Sequence, residues 1–292
     1  MMSSPSTQVT APRWLGPMLV LASAVFFSLS GVLIKSIDAG SWAILTWRGL
    51  VGAAGVGAYV WVRNREKPMR ETFRLGRHGW LIAAVGGTGS ITFIYAFKHT
   101  FVANVSVIYA TIPFVAALLE RALLGARVQR RTMRAAVASF AGVVIIVSGS
   151  LGSPNIDGDA VALVMVGLNA LYMVLIRKFS SADGVLAGAA AALMLFFAGW
   201  FFTDPLDVSG HDAILLVVFG LIFAAATVLW TEGTRLIPAA ESGLLGSAET
   251  PLAIALAWVI LTEVPPGTSI IGAAIVLAAV LLHARSDFGS TG

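Results

Sequence analysis

Val32-Leu33-Ile34-Lys35 returns 142 residues later as Val174-Leu175-Ile176-Arg177, each closing an apolar run. Further pairs follow in the same order at nearly the same offset: Lys98 with Arg235 and Ala103 with Ala240 at 137, Pro113 with Pro251 at 138. Shared order and spacing mark a duplicated unit of about five apolar segments. Five is odd, so two such copies in a bilayer must cross it in opposite senses. The expected fold is an all-α membrane protein of ten transmembrane helices, built as two inverted five-helix repeats.

Composition points the same way. Of the residues, 58% are apolar and 12% charged, and the mean hydropathy is +0.87, values outside the range of water-soluble domains. The absence of cysteine rules out disulfides, thiolate catalysis and Cys-ligated zinc. A crossing helix needs roughly 17–25 residues. Ten stretches qualify: 14–35, 42–62, 79–97, 103–124 and 133–151 in the first half, then 160–176, 185–202, 213–230, 239–261 and 269–284. The expected organisation is a tail at 1–13, repeats at 14–151 and 160–285, and a tail at 286–292. The apolar stretch behind the Ser/Thr/Pro-rich first residues is too long for a signal-peptide core, so 1–13 reads as a disordered tail.

Loop charge sets the orientation. With both termini cytoplasmic, 16 of the 19 Lys and Arg residues fall inside, in clusters such as Arg63 to Arg77 and Arg121 to Arg134. The outer side then holds Lys35, Arg48 and Lys98 and collects acids: Asp38, Asp157, Asp159, Asp204, Asp207, Asp212 and Glu263. The isoelectric point near 9.8 thus has a topological cause, and nucleic acid is not expected as a partner. The expected partners are a small-molecule substrate and the lipid bilayer of a cytoplasmic or inner membrane. One cavity enclosed by ten spans is compatible with a working monomer.

Phe26-Phe27-Ser28-Leu29-Ser30-Gly31 running to Lys35, Trp47-Arg48-Gly49, Tyr95-Ala96-Phe97-Lys98 before Ala103-Asn104, and Pro113 resemble the drug/metabolite transporter superfamily. Within it the chain is similar to ten-helix exporters with two EamA-type repeats, a group that includes aromatic amino acid exporters. The second half matches at Ala170-Leu171-Tyr172 to Arg177, at Arg235 before Pro238-Ala239-Ala240, and at Glu249-Thr250-Pro251. A Gly-Glu pair usually follows the fourth helix of such a repeat. Here the first copy reads Leu124-Gly125-Ala126 and the second Leu261-Thr262-Glu263. The resemblance implies export of small metabolites, amino acids first.

In an inverted repeat a polar solute sits near the midplane, where helices are interrupted. Pro113 and Pro251 fall mid-span in the fourth and ninth segments, and each frees the carbonyl about one turn earlier, at Tyr109 and Ser247. Ser106, Tyr109, Ser247 and Glu249 are therefore candidate substrate contacts. Glu249 is also the candidate proton-coupling group, since an ionisable side chain near a span centre is functional by default. Tyr95, Tyr172 and Trp230 are candidate aromatic walls of the cavity, although Tyr95 and Trp230 near span ends also suit interfacial anchors. Glu120 and Glu241 read as snorkelling to the inner interface, and Arg48 as pairing with Asp38. Gly49, Ala53 and Gly57, with Gly184, Gly188 and Ala192 in the counterpart helix, form small-residue packing stripes. Gly86-Gly87-Thr88-Gly89-Ser90 reads as a hinge or a backbone-lined wall.

No Walker A loop, His-Glu-x-x-His pair or Gly-x-Ser-x-Gly elbow occurs. The chain reads as no enzyme, with no catalytic residues, no cofactor and no metal site. His78, His99, His211 and His283 all fall at span ends or in loops. The rival readings are a sugar-phosphate or nucleotide-sugar carrier, which would want Lys or Arg at midplane depth, and a membrane-embedded lipid-handling scaffold or enzyme, which would want paired catalytic groups at one interface.

Overall fold

A bilayer offers no water to backbone amides, so an apolar chain that enters it must satisfy them within each segment. The computed structural model describes residues 12, 14–66, 68–72, 74–125, 130–149, 151, 154–179, 183–236, 245–246 and 248–288, and every regular element among them is a helix. In chain order these are α1 (Leu15–Ser36), α2 (Ser41–Arg63), α3 (Met69–Thr72), α4 (Arg77–His99), α5 (Val102–Tyr109), α6 (Ile112–Leu124), α7 (Arg130–Gly149), α8 (Ile156–Lys178), α9 (Gly184–Phe202), α10 (Gly210–Leu236), α11 (Glu249–Leu261) and α12 (Gly267–Phe288). Seven stretches are long and apolar enough to cross a membrane, α5 and α6 counting as one, and shorter apolar helices lie at 133–149, 249–261 and 267–279. The short helix α3, in the basic loop after α2, has no apolar run to announce it. The expectations for the 1–13 tail, bar Pro12, and for Ser247 and Glu241 fall outside the described residues.

Helix packing carries the duplication. α1 packs on α10 and α8 on α4; α1 also meets α11, as α8 meets α5 and α6. α2 packs on α9 and α7 on α12. Exchanging α1, α2, α4, α5–α6 and α7 for α8, α9, α10, α11 and α12 maps these pairings onto themselves. The self-paired helices run antiparallel. Thr46 meets Gly199 while Gly49, further along α2, meets Ala192 and Phe196, earlier in α9. Likewise Gly142 of α7 faces Gly272 and Val276 of α12, whereas Gly149 faces Thr268. Small residues make these approaches possible: a Cβ on Gly49 would stand 2.5 Å from the Ala192 carbonyl oxygen. The stripe is not the expected one throughout, for Gly57 faces open space while Gly52 and Gly55 face Phe223 and Ala224 of α10.

The bundle is apolar outside as well as inside. Phe201, Val259, Leu282 and Trp258 are exposed, whereas Ser28, Ser30, Asn104, Ser106, Thr111, Asp159, Thr250 and Ser269 are buried. Such an exterior suits lipid. Arg48 departs from expectation. It does not pair with Asp38, whose backbone amide donates to Asp212 Oδ1 at 3.2 Å. The guanidinium, in a residue 6% exposed, lies 4.6 Å from the Phe223 ring centroid and 5.6 Å from that of Phe219. The α2–α10 contact turns it inward onto aromatic faces. The glycine-rich run of α4 likewise forms no break, since α4 is continuous from Arg77 to His99.

Candidate functional site

The fourth expected span is two helices. Pro113 cannot donate to Tyr109, so the ladder fails there. The Ala110 amide still donates to the Ser106 carbonyl, but the Thr111 amide turns back to Ile108, and Thr111 Oγ1 donates to the same carbonyl at 2.6 Å. α5 thus ends at Tyr109, and Pro113 sits in the first turn of α6, where a missing N–H costs nothing. The second half repeats the device. α11 opens at Glu249, two residues ahead of Pro251. The two prolines thus stand in the first turns of new helices, at the interruptions expected around them.

The two interruptions meet. α11 packs on α5, and Thr250 Oγ1 donates to the Ser106 carbonyl at 3.4 Å within the buried interior. Tyr109 is the last residue of α5 and Glu249 the first of α11, so both flank this contact. The carbonyl end of one half-helix and the amide end of another converge here, a pairing that can hold solute groups of opposite charge. Phe93 of α4, unremarked in the sequence, packs edge-on to Tyr109 with centroids 6.0 Å apart.

The other candidates fall at different distances from this point. Trp230 of α10 lies against Gly246, three residues before Glu249. Tyr172 of α8 packs its ring on Gly86 of α4 and donates from Oη to the Gly184 carbonyl at 3.4 Å, in a separate cluster with Ile82, Leu175 and Ala187. Tyr95 is exposed and stacks on His99 at 3.8 Å. The structure therefore brings Ser106, Tyr109 and Glu249 together, sets Trp230 beside the approach to α11, and leaves Tyr95 and Tyr172 apart. Among the described residues no three His, Asp or Glu side chains converge as metal ligands.

The pseudosymmetric helices and paired interruptions have a counterpart among known families. The model of the EamA-like transporter family matches residues 14–148 and again 158–285. The chain belongs to the EamA-like transporter family. It is thereby a transporter of the drug/metabolite type. A solved structure described only as "Crystal structure of protein" superposes with a TM-score of 0.67 at 19% identity, covering 94% of this chain and 99% of that one, a likeness of fold. No curated protein matches the chain.

This EamA-like chain also carries a polar knot at one end of the bundle that sequence reading missed. Asp159, in the first turn of α8, is fully buried. It accepts from Thr100 Oγ1 at 2.6 Å and from Asn104 Nδ2 at 3.1 and 3.0 Å, while Ser269 Oγ donates to Asn104 Oδ1 at 2.5 Å. The carboxylate of α8 thus ties the end of α4 to the first turn of α5, and Asn104 links the first turn of α12 to them. At the other end Glu232 of α10 accepts from Tyr59 Oη of α2 and faces Arg63 at 3.5 Å. Asp159 sat in an acid-rich loop with nothing in its spacing to separate it from Asp157.

Proposed function

We propose that this transporter exports small amphipathic metabolites, foremost amino acids including aromatic and neutral ones, by alternating access around the meeting point of the two interruptions. The observation that carries the reading is the convergence of Ser106, Tyr109 and Glu249 at facing half-helix ends. Glu249 and the carbonyl end of α5 attract the ammonium of an amino acid, the amide end of α11 its carboxylate, and Tyr109, Phe93 and Trp230 offer aromatic walls. Glu249 is the group through which proton movement is coupled. Ser247 stays in the proposed site by its place in the sequence, while Tyr95 and Tyr172 take outlying positions at most.

The proposed topology has ten spans in two inverted repeats, with both termini on the cytoplasmic side of a cytoplasmic or inner membrane. Antiparallel packing of α2 on α9 and of α7 on α12 supports the inversion, and the basic loops support the orientation. Since the chain lacks cysteine, Arg65→Cys and Leu206→Cys tested with a membrane-impermeant thiol reagent in intact cells check it. Labelling at 206 alone is expected, and labelling at 65 alone would reverse the orientation.

Uptake into liposomes tests the substrate class, using phenylalanine, threonine, glutamate, a sugar phosphate and a lipid-soluble cation against empty vesicles. Protein-dependent amino acid uptake, abolished by Glu249→Gln, is expected. Uptake of the sugar phosphate or cation alone would overturn the substrate class.

A further inference from the structure

At the end of the bundle holding the Asp159 knot, a cavity of about 340 Å³ is bounded by Lys35, Thr100, Phe101, Asn155, Leu261 and Glu263. It belongs to neither helix interruption, since it lies where α1, α4 and α11 end and where α5 and α8 begin. Its volume is at the small end of the range for metabolite pockets, roughly 300–1,000 Å³. Two walls, Phe101 and Leu261, are apolar, and two side chains carry opposite charge.

Those charges influence one another, yet no ion pair or hydrogen bond joins them. Geometry holds them apart. Glu263 Oε1 accepts the Val102 amide at 2.7 Å, at the first residue of α5, so the carboxylate is anchored to a helix start rather than free to swing to Lys35. The residue before it, Thr262, has φ +53, the one positive value outside glycine among the described residues. A β-branched residue in this region is strained. The matching place in the first half, 137 residues earlier, is held by Gly125 with φ +68. Nor has Glu263 an acidic counterpart, for position 126 is alanine. Among the described residues the Lys35 ammonium has neither hydrogen bond nor ion pair.

An anchored carboxylate and an unengaged ammonium across a small half-apolar cavity complement a molecule with its own ammonium and carboxylate on one carbon. We propose that this cavity is a subsite for zwitterionic α-amino acids, separate from the central site, in which Lys35 takes the carboxylate, Glu263 the ammonium, and Phe101 with Leu261 the side chain. It rests on the reading of the protein as an amino acid transporter. In the proposed topology it lies on the outer face, where an exported solute would pause before release.

The test crosses three probes with two variants of the full-length protein in detergent, measured by titration calorimetry: phenylalanine, 3-phenylpropionate and 2-phenylethylamine against Lys35→Gln and Glu263→Gln. Both variants keep hydrogen-bonding capacity, and the glutamine still accepts from Val102. The Kd of phenylalanine is expected to rise about tenfold in each. Lys35→Gln should leave 2-phenylethylamine unaffected, and Glu263→Gln should leave 3-phenylpropionate unaffected. An effect of Lys35→Gln alone, on both carboxylates, would make this an anion site and overturn the proposal, as would unchanged phenylalanine affinity in both variants. Uptake by the unaltered protein, by Glu249→Gln and by the two cavity variants separates the two readings. Amino acid uptake that needs Glu249 but ignores both variants, with unchanged Kd, sinks only the subsite, whereas no amino acid uptake or binding sinks the central reading and the subsite with it.

Discussion

Glu263 accepts the backbone amide of Val102 at 2.7 Å, and with that bond the loop after α11 caps the start of α5, joining the two halves of the chain. Glu263→Ala leaves that amide without its carboxylate and is expected to cost about 1 kcal/mol. Glu263→Gln, which retains an acceptor, is expected to cost less. Thermal unfolding of the purified protein followed by tryptophan fluorescence gives the order, and equal Tm values for the two variants would contradict it.

The carboxyl of Glu263 also has a pH dependence. Burial pushes its pKa up, while the Lys35 charge and the Val102 amide pull it back in part, leaving it above the usual glutamate range. Below the raised value the group is neutral and no longer attracts an ammonium. Affinity for 2-phenylethylamine should therefore fall as the pH drops through a value above that of an ordinary glutamate, and Glu263→Gln should flatten the profile. A profile identical in both proteins would contradict the assignment.

Thr262 and Gly125 occupy matching left-handed positions after α11 and α6. Thr262→Gly removes the clash of a branched side chain at positive φ and adds freedom to the unfolded chain, a net gain of about 0.5 kcal/mol. Gly125→Thr imposes the same clash and should destabilise. Opposite signs of the Tm shift are the expected result.

Asp159 serves Thr100 and Asn104 at once, and Asn104 in turn serves Ser269. Asp159→Ala strands two buried donors and is expected to cost roughly 2–4 kcal/mol. Ser269→Ala removes one peripheral hydroxyl and should cost about 1 kcal/mol. Comparing the two Tm values with that of the double variant measures the coupling through Asn104, and strict additivity would contradict a shared network.

Gly49 and Gly57 share a helix but not an environment. Gly49→Ala drives a Cβ to 2.5 Å from the Ala192 carbonyl oxygen and should cost about 1–3 kcal/mol as α2 is pushed off α9. Gly57→Ala meets nothing within 4 Å and should stabilise by about 0.5–1 kcal/mol through helix propensity. Detergent-solubilised yield and Tm report both.

Much of the fold was legible along the chain, because helix content, duplication and antiparallel counterparts follow from apolar runs repeated at one offset. The interruptions at Pro113 and Pro251 were legible as positions, since a missing amide acts locally. Their form was not: helix ends at Tyr109 and Glu249 depend on how Thr111 and its neighbours redirect their hydrogen bonds. Arg48 was misread because its surroundings are set by Phe219 and Phe223, about 170 residues away. Tyr95 lay near a span end and Tyr109 deeper, a difference of depth legible along the chain, whereas the ring that meets Tyr109, Phe93 of α4, was not.

By itself, then, the sequence determined an all-helical, duplicated transporter chain and the two places where its helices stop, since apolar length, repeat offset and proline act through nearest neighbours. Tertiary structure alone decided which side chains meet. The Thr250 bond to the Ser106 carbonyl spans 144 residues and the Ser269 bond to Asn104 spans 165. Such partners are chosen by helix rotation and depth, which no local pattern encodes.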